Sequence, residues 1–267
     1  MREPFVVAVL GLGEAGSAIA ADLVALGVRV RGYDPIPERS VAGLERVGSE
    51  LEAVRDAQVI LSVNWARVAL EVAQTVAPAL GPGQLFADLN TAAPALKQSL
   101  AAALAPTGAL FADVALMSPV PGRGLRTPAL VSGPGAARFA ATIGALGMPV
   151  EPVGPEAGAA AARKLVRSVF FKGMAAAVGE ALEAARRLGF EQETWQNIAE
   201  TLAAADARLV DRLVEGSLRH ARRRREEMAA AAEMLKALGI TPHMAQATEA
   251  WLADLLEATG PSSPQPR

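Results

Sequence analysis

Residues 5–34 read FVVAVLGLGEAGSAIAADLVALGVRVRGYD. Six apolar residues, Phe5–Leu10, run straight into Gly11-Leu12-Gly13-Glu14-Ala15-Gly16, and a helical pattern over Ala15–Leu26 follows. A short, uninterrupted apolar run is what a strand buried on both faces looks like. A GxGxxG between such a strand and a helix has a physical reason for each glycine. Gly11 permits the tight turn, Gly13 lets a pyrophosphate approach the backbone, and Gly16 lets helix and strand pack closely. The helix start adds unpaired N–H groups and a partial positive charge, which suit phosphate. A second strand, Val28–Tyr33, ends at Asp34, 18 residues after Gly16. An acid at that place accepts hydrogen bonds from the adenosine ribose. The segment therefore nominates Gly11, Leu12, Gly13, Glu14, Ala15, Gly16 and Asp34 for a dinucleotide. The competing reading is a structural turn in a sheet protein that binds none. Asp34 favours NAD over NADP, because a carboxylate repels a 2′-phosphate. Arg31 and Arg39 stand nearby as partners for that phosphate instead.

Downstream, short apolar runs alternate with helical ones. Strands are expected at Gln58–Val63, Leu85–Leu89, Leu110–Ala115, Ala129–Ser132 and Val150–Val153. Helices are expected at Arg67–Ala79, Pro94–Ala103 and Ala136–Leu146. This alternation implies a mostly parallel sheet covered on both faces. After Val153 no strand signal appears. From Glu156 to Leu188 only isolated glycines interrupt a helix, which at ~1.5 Å per residue reaches ~50 Å, too long for one sheet domain to bury. Gly189 suits its end. Further helices are expected at Gln192–Ala204, Asp206–Leu238 and Pro242–Ala258. The expected fold class is an α/β Rossmann domain, residues 1–154, joined by a long helix to an all-α domain for substrate and dimerisation, residues 155–259. A Pro- and Ser-rich tail, 260–267, is expected to be disordered.

Composition bounds the chemistry. Hydrophobic residues make up 51% and charged residues 20%, a globular balance. The formal net charge of -2 gives no bulk attraction to nucleic acid or to an anionic membrane. Without cysteine there is no disulfide, thiolate metal site or thiol nucleophile, and with His220 and His243 as the sole histidines no His-rich metal site is expected. The apolar start is too short for a signal peptide, and no run reaches the ~18 residues of a membrane span, so a cytoplasmic location is the expectation.

Three segments beyond the glycine loop carry candidate chemistry. In Phe86–Pro94, FADLNTAAP, a strand ends in small polar residues, and strand ends line the ligand crevice of such sheets. Asn90 and Thr91 then either face the nicotinamide or substrate or N-cap the next helix, and both roles are compatible. In Asp113–Thr127, a loop with two prolines and two glycines carries Ser118, Arg123 and Arg126; it reads equally as a functional loop and as a solvated connection. On the long helix, Lys164, Arg167, Ser168, Phe171 and Lys172 share one face. A partly buried lysine beside a cation loses proton affinity and becomes useful for acid/base work, whereas the plain reading is a solvated stripe. The run Arg222–Arg225 followed by Glu226 and Glu227 forms i,i+4 pairs, a self-neutralised surface rather than a nucleic-acid patch.

Together these segments resemble the β-hydroxyacid dehydrogenase family, which includes 6-phosphogluconate and 3-hydroxyisobutyrate dehydrogenases. GLGEAGSAIAADL is similar to its opening motif, ILSV precedes Asn64, and DLNTAAP is similar to its D-x-S-T-x-x-P. Lys164, after GPEAGAAAARK, occupies the position of the family's catalytic lysine. KLVRSVFFKG and HARRRREEM resemble the C-terminal domain of a phosphogluconate-dehydrogenase-like branch. The resemblance implies a Rossmann domain and an all-α domain linked by a long helix, usually in a homodimer. It adds Asn64 to the cofactor residues. It also implies that Lys164 takes a proton from a hydroxyl while hydride passes to the nicotinamide. Ser168 stands where the family has Asn, Phe171 where phosphogluconate dehydrogenases have their general acid, and the substrate loop differs, so the resemblance names no substrate.

The expected function is hydride transfer between NAD or NADP and a small, anionic hydroxy acid or its carbonyl counterpart. Ser118, Arg167 and Ser168 are expected to touch substrate, Lys164 to move the proton, and no metal to take part. Partners are a small-molecule substrate and a second copy of the chain, with no nucleic acid and no membrane. The alternatives are an imine reductase of similar architecture, which typically lacks such a lysine, and a non-catalytic NAD(P)-binding redox sensor.

Overall fold

The structure, a computed structural model, describes residues 5–258. The chain forms two compact units, Met1–Arg167 and Ser168–Arg267. The expected tail at 260–267 lies outside the described residues.

The first unit contains strands β1 (Val6–Leu10), β2 (Arg29–Tyr33), β3 (Glu45–Arg46), β4 (Val59–Ser62), β5 (Leu85–Asp88), β6 (Leu110–Leu116), β7 (Ala129–Ser132) and β8 (Val150–Pro152). Its helices are α1 (Glu14–Ala25), α2 (Glu50–Val54), α3 (Ala69–Val76), α4 (Pro94–Leu104) and α5 (Ala136–Phe139). The strands make one sheet in the order β3-β2-β1-β4-β5-β6-β7-β8. All neighbours are parallel except β6 and β7. Alternate residues of β1 serve the two cores: Val7 and Val9 pack with Ile19 and Leu23, and Val6, Ala8 and Leu10 pack with Val54 and Val76. Double burial explains why β1 reads as continuous apolar sequence. Strand order reverses at β1, which lies between β2 and β4, and the carboxyl ends there open a ligand crevice.

One strand and one α-helix escaped the sequence reading, β3 and α2. β3 is two charged residues on the sheet edge, with no hydrophobic period to reveal it. α2 did have a signal in Ser49-x-x-Glu52. Ser49 Oγ accepts from Glu52 N at 3.2 Å, and the Glu52 carboxylate accepts from Gly48 N at 2.8 Å. This is a capping box displaced by one residue.

Helix α6 (Ala159–Leu188) crosses the boundary between the units. The sequence places that boundary ahead of the helix, at 154/155. The compact units part within it, because its first turns are bonded to the sheet unit, as described below. In the second unit, α7 (Glu191–Ala203), α8 (Ala207–Ala237) and α9 (His243–Ala258) follow. The Glu180 carboxylate accepts from Met244 N and Ala245 N, both at 2.9 Å, and so satisfies two orphan donors at the start of α9. The apolar core of this unit is small: Ala184, Ala232, Leu235 and Ala245, with Met228 and Ile240 against it. α8 bends at His220, whose φ of -122° and ψ of 22° leave the helical region. Among the described residues, no helix is long and apolar enough to cross a membrane.

Candidate active site

Gly11 turns β1 into the loop at φ +101°, and a Cβ there would meet Val63 O at 2.5 Å. A Cβ on Gly16 would lie 1.9 Å from Gly11 O, so helix and loop meet backbone to backbone. Gly13 differs. Its φ is an ordinary -69°, and a Cβ would meet only Arg39 Nη1, at 3.7 Å. Packing within the protein therefore does not require glycine at position 13, whereas a ligand drawn onto the backbone would. No side chain caps the start of α1, which leaves its first N–H groups to the crevice.

A cavity of about 700 Å³ lies over this loop, lined among others by Gly11, Gly13, Asp34, Arg39, Asn64 and Trp65. Asp34 is only 3% exposed. Its Oδ2 accepts from Leu12 N at 2.8 Å and its Oδ1 from Ile36 N at 2.9 Å. Arg39 approaches Oδ2 at 3.3 Å. Asp34 thus ties the loop to the end of β2, a task the sequence reading did not foresee. Oδ2 is thus shared by Leu12 N and Arg39, whereas Oδ1, with one donor, retains a second acceptor site. Of the two nearby arginines, Arg39 lines the cavity, whereas Arg31 donates to Arg55 O and pairs with Glu45. The Leu12 side chain is core, and only its backbone N–H belongs to the site.

A second cavity of about 470 Å³ shares Glu14, Ala15, Val63 and Asn64 with the first. Asn90, Thr91, Ser118 and Lys164 complete its polar lining, and Leu89, Leu116 and Val120 give it apolar walls. Residues more than 140 positions apart, Glu14 and Lys164, thus line one hollow within the first unit. Two expected substrate residues do not line it. The Arg167 guanidinium donates to Met117 O at 3.2 Å, which anchors it to the end of β6. Ser168 belongs to the second unit. Arg123 and Arg126 line a separate depression against α1. The helix-capping reading of Asn90 and Thr91 also fails. α4 starts with Ala93 as its cap and Pro94 in the first turn, without a side-chain cap.

Beneath the second cavity lies a charged cluster that the sequence did not reveal. Asp88 and Asp113 are register partners on β5 and β6. The fully buried Lys97, on α4, sits 2.5 Å from Asp88 Oδ2 and 3.1 Å from Asp113 Oδ1, and also donates to Asp88 O at 2.9 Å. Asp113 Oδ2 accepts from Gly158 N (3.1 Å) and Ala161 N (3.0 Å), and Ser132 Oγ accepts from Ala160 N at 3.0 Å. These residues cap the start of α6, the helix that carries Lys164. Burial pushes the Asp88 carboxyl up from its ordinary value, opposed by the Lys97 charge and by hydrogen bonds from Lys97, Asn90 and Ser62. On its other oxygen, Asp88 Oδ1 accepts from Asn90 Nδ2 at 2.5 Å, and Asn90 Nδ2 also donates to Asn64 Oδ1 at 2.8 Å.

Residues 6–123 match the family described as the NAD binding domain of 6-phosphogluconate dehydrogenase, and residues 185–255 match a domain of unknown function, DUF1932. The crystal structure of a conserved hypothetical protein from Sinorhizobium meliloti is 31% identical, with 99% of this chain and 92% of that one covered and a TM-score of 0.62. A conserved protein of unknown function, described as structurally similar to 3-hydroxyacid dehydrogenases, is 27% identical over 95% of this chain and 98% of that one, with a TM-score of 0.61. An imine reductase from Myxococcus stipitatus in complex with NADP+ shares the fold. It has a TM-score of 0.81 at 19% identity, over 95% of each chain.

Proposed function

The chain belongs to the 6-phosphogluconate dehydrogenase-like family of NAD-binding proteins, in the branch that carries DUF1932, and on that premise we propose that it is an oxidoreductase acting on a small anionic hydroxy acid or its carbonyl counterpart, with Lys164 as general acid and base. One observation carries the reading: Lys164 and Ser118 line a cavity that shares Glu14, Ala15, Val63 and Asn64 with the cavity over the glycine loop.

The loop residues fit a dinucleotide, since a Cβ on Gly13 would meet only the end of the Arg39 side chain and the start of α1 has N–H groups to offer. When bound, the nicotinamide supplies or accepts the hydride. Asp34 takes the adenosine ribose and favours NAD; Asn64, Asn90 and Thr91 line the nicotinamide end. Ser118 holds the substrate by its hydroxyl. In the oxidising direction the hydroxyl proton passes to the neutral Lys164 amine as the carbon–oxygen double bond forms. In the reducing direction the ammonium returns it to the oxygen. A lysine serves this purpose and an arginine does not, because only the amine can be neutral near working pH.

The second unit has apolar residues that its small core leaves outside, among them Trp195, Val210, Leu213, Val214 and Leu218, each more than half exposed. We therefore propose a homodimer formed through this unit.

The test is a screen of small hydroxy acids and their keto counterparts with NAD(H) and NADP(H), followed by the absorbance of the reduced nicotinamide. Turnover of one such pair, lost in Lys164→Met, is the expected outcome. Turnover of cyclic imines alone would replace this reading with an imine reductase. Nucleotide binding without turnover of any candidate would favour a sensor.

A further inference from the structure

The Asn90 amide lies between two groups that decide its orientation. An ionised carboxylate can only accept, so the edge of Asn90 that meets Asp88 Oδ1 at 2.5 Å must be its NH2. The second proton of that NH2 goes to Asn64 at 2.8 Å, so Asn64 must present its own oxygen there. Asn90 Oδ1 and Asn64 Nδ2 are thereby turned to the other side of each amide. Both residues line the second cavity, and Asn64 lines the first as well. This chain of constraints starts at the buried ammonium of Lys97, which contacts Asp88 by its other oxygen.

We infer that Lys97 is a positioning residue: by holding Asp88 as a carboxylate, it makes Asn90 present an acceptor and Asn64 a donor to the nicotinamide half of the dinucleotide. The inference rests on the NAD(P)-dependent reading above and extends it to a residue that touches neither cavity. Two facts give it force. Asp88 is fully buried beside a second carboxylate, Asp113, and Lys97 is the cation that pairs with both of them. A protonated Asp88 would have a proton to donate, and the adjoining edge of Asn90 could then be its oxygen. The amide would lose its single orientation, and Asn64 with it. The nicotinamide ring carries a carboxamide with one donor and one acceptor edge, so a reversed donor and acceptor pair costs hydrogen bonds there. The adenosine ribose and the pyrophosphate are left to Asp34 and the glycine loop, and neither Lys97, Asp88 nor Asn90 lines the cavity over them.

The experiment compares two ligands by calorimetric titration: NADH, and ADP-ribose, which lacks the nicotinamide. In Lys97→Met, NADH should bind about tenfold more weakly, the equivalent of one or two lost hydrogen bonds, while ADP-ribose affinity stays within about twofold of wild type. Asp88→Asn, which relieves rather than adds buried charge, should show the same selective loss and carries the test if Lys97→Met does not fold. Equal losses for both ligands in the folded variants would make Lys97 merely structural and overturn the inference, as would no loss for either. If the wild type binds neither ligand, the dinucleotide reading itself falls.

Discussion

The backbone N–H of Leu12 donates to Asp34 Oδ2 at 2.8 Å, so the glycine loop and the acid at the end of β2 form one unit. A substitution at Asp34 therefore acts twice. Asp34→Ala removes the acceptor for the ribose hydroxyls and also the anchor of the loop. We predict that wild-type protein binds NADH more tightly than NADPH, because the carboxylate repels the 2′-phosphate. Asp34→Ala should weaken NADH by about tenfold or more, as expected for the loss of charge-assisted hydrogen bonds, and should narrow the gap to NADPH, since Arg39 remains in the cavity. Calorimetric titration of both nucleotides checks this. Tighter binding of NADPH by the wild type would reverse the assignment of Asp34.

The buried cluster predicts a pH effect of definite sign. Burial raises the Asp88 carboxyl, and Lys97 is the first of the forces that oppose the rise. In Lys97→Met that opposition is gone, so the folded protein holds a proton on Asp88 at pH values where the unfolded chain has released it. The folded state then binds more protons than the unfolded one, and stability falls as pH increases from the ordinary aspartate range upward. Removing one partner of a buried ion pair costs about 3–5 kcal/mol. The loss relative to wild type should therefore be near that figure at pH ~8 and clearly smaller at pH ~5, where protonation relieves it. Urea denaturation at both pH values measures it, and an equal loss at both would mean that Asp88 does not take up the proton.

How much of this was legible in the sequence depends on the range of the interactions involved. β1 and the glycine loop were legible because burial on both faces writes continuous apolar residues, and a ligand-bearing turn writes glycines at fixed spacing. Lys164 was singled out from its place on a helix, and it lines the cavity with Ser118, Asn90 and Thr91. Lys97 was not, although it is the fully buried lysine of the site. A lysine on an amphipathic helix normally faces solvent. What marks Lys97 as different is two aspartates, nine positions before and sixteen after, whose approach depends on strand pairing. Asn90 shows the same limit. Its position between a strand end and a helix leaves a crevice role and a cap equally open, and only tertiary contacts with Asp88 and Asn64, which claim its amide, separate the two. Arg167 and Ser168 share a helical face with Lys164, yet the cavity reaches only Lys164.

The second unit predicts an assembly state. On α8, Val210, Leu213, Val214 and Leu218 follow the i, i+3, i+4, i+8 spacing of one stripe, and each is more than half exposed. An apolar stripe of this kind is normally covered. Light scattering at micromolar concentration should report a dimer, and Leu213→Glu should shift the protein toward monomer while leaving NADH affinity nearly unchanged, because the glycine-loop cavity belongs to the other unit. A wild-type protein that stays monomeric would remove the basis for the proposed homodimer.

Lys164 carries the heaviest prediction. It stands in the first turns of α6, whose start is capped by Asp113 and Ser132, so its backbone is anchored to the sheet unit independently of its own side chain. Changing the side chain should therefore leave the fold and the glycine loop intact. Lys164→Met keeps most of the length and a good helix former, but removes the proton-transfer group. Lys164→Arg keeps the charge but cannot release its proton near neutrality. Both variants should bind NADH within about twofold of wild type, a difference too small to reflect a lost hydrogen bond. Both should lose turnover on the substrate found by the screen by at least ~100-fold, the lower range for removal of a general acid or base. The loss should appear in kcat, since proton transfer belongs to the transition state rather than to substrate binding. Lys172→Met is the control: Lys172 is exposed, lies in the second unit, and does not line the cavity. It should retain activity. Near-native turnover by Lys164→Arg would be incompatible with proton transfer at this residue and would leave Lys164 only an electrostatic part in holding an anionic substrate.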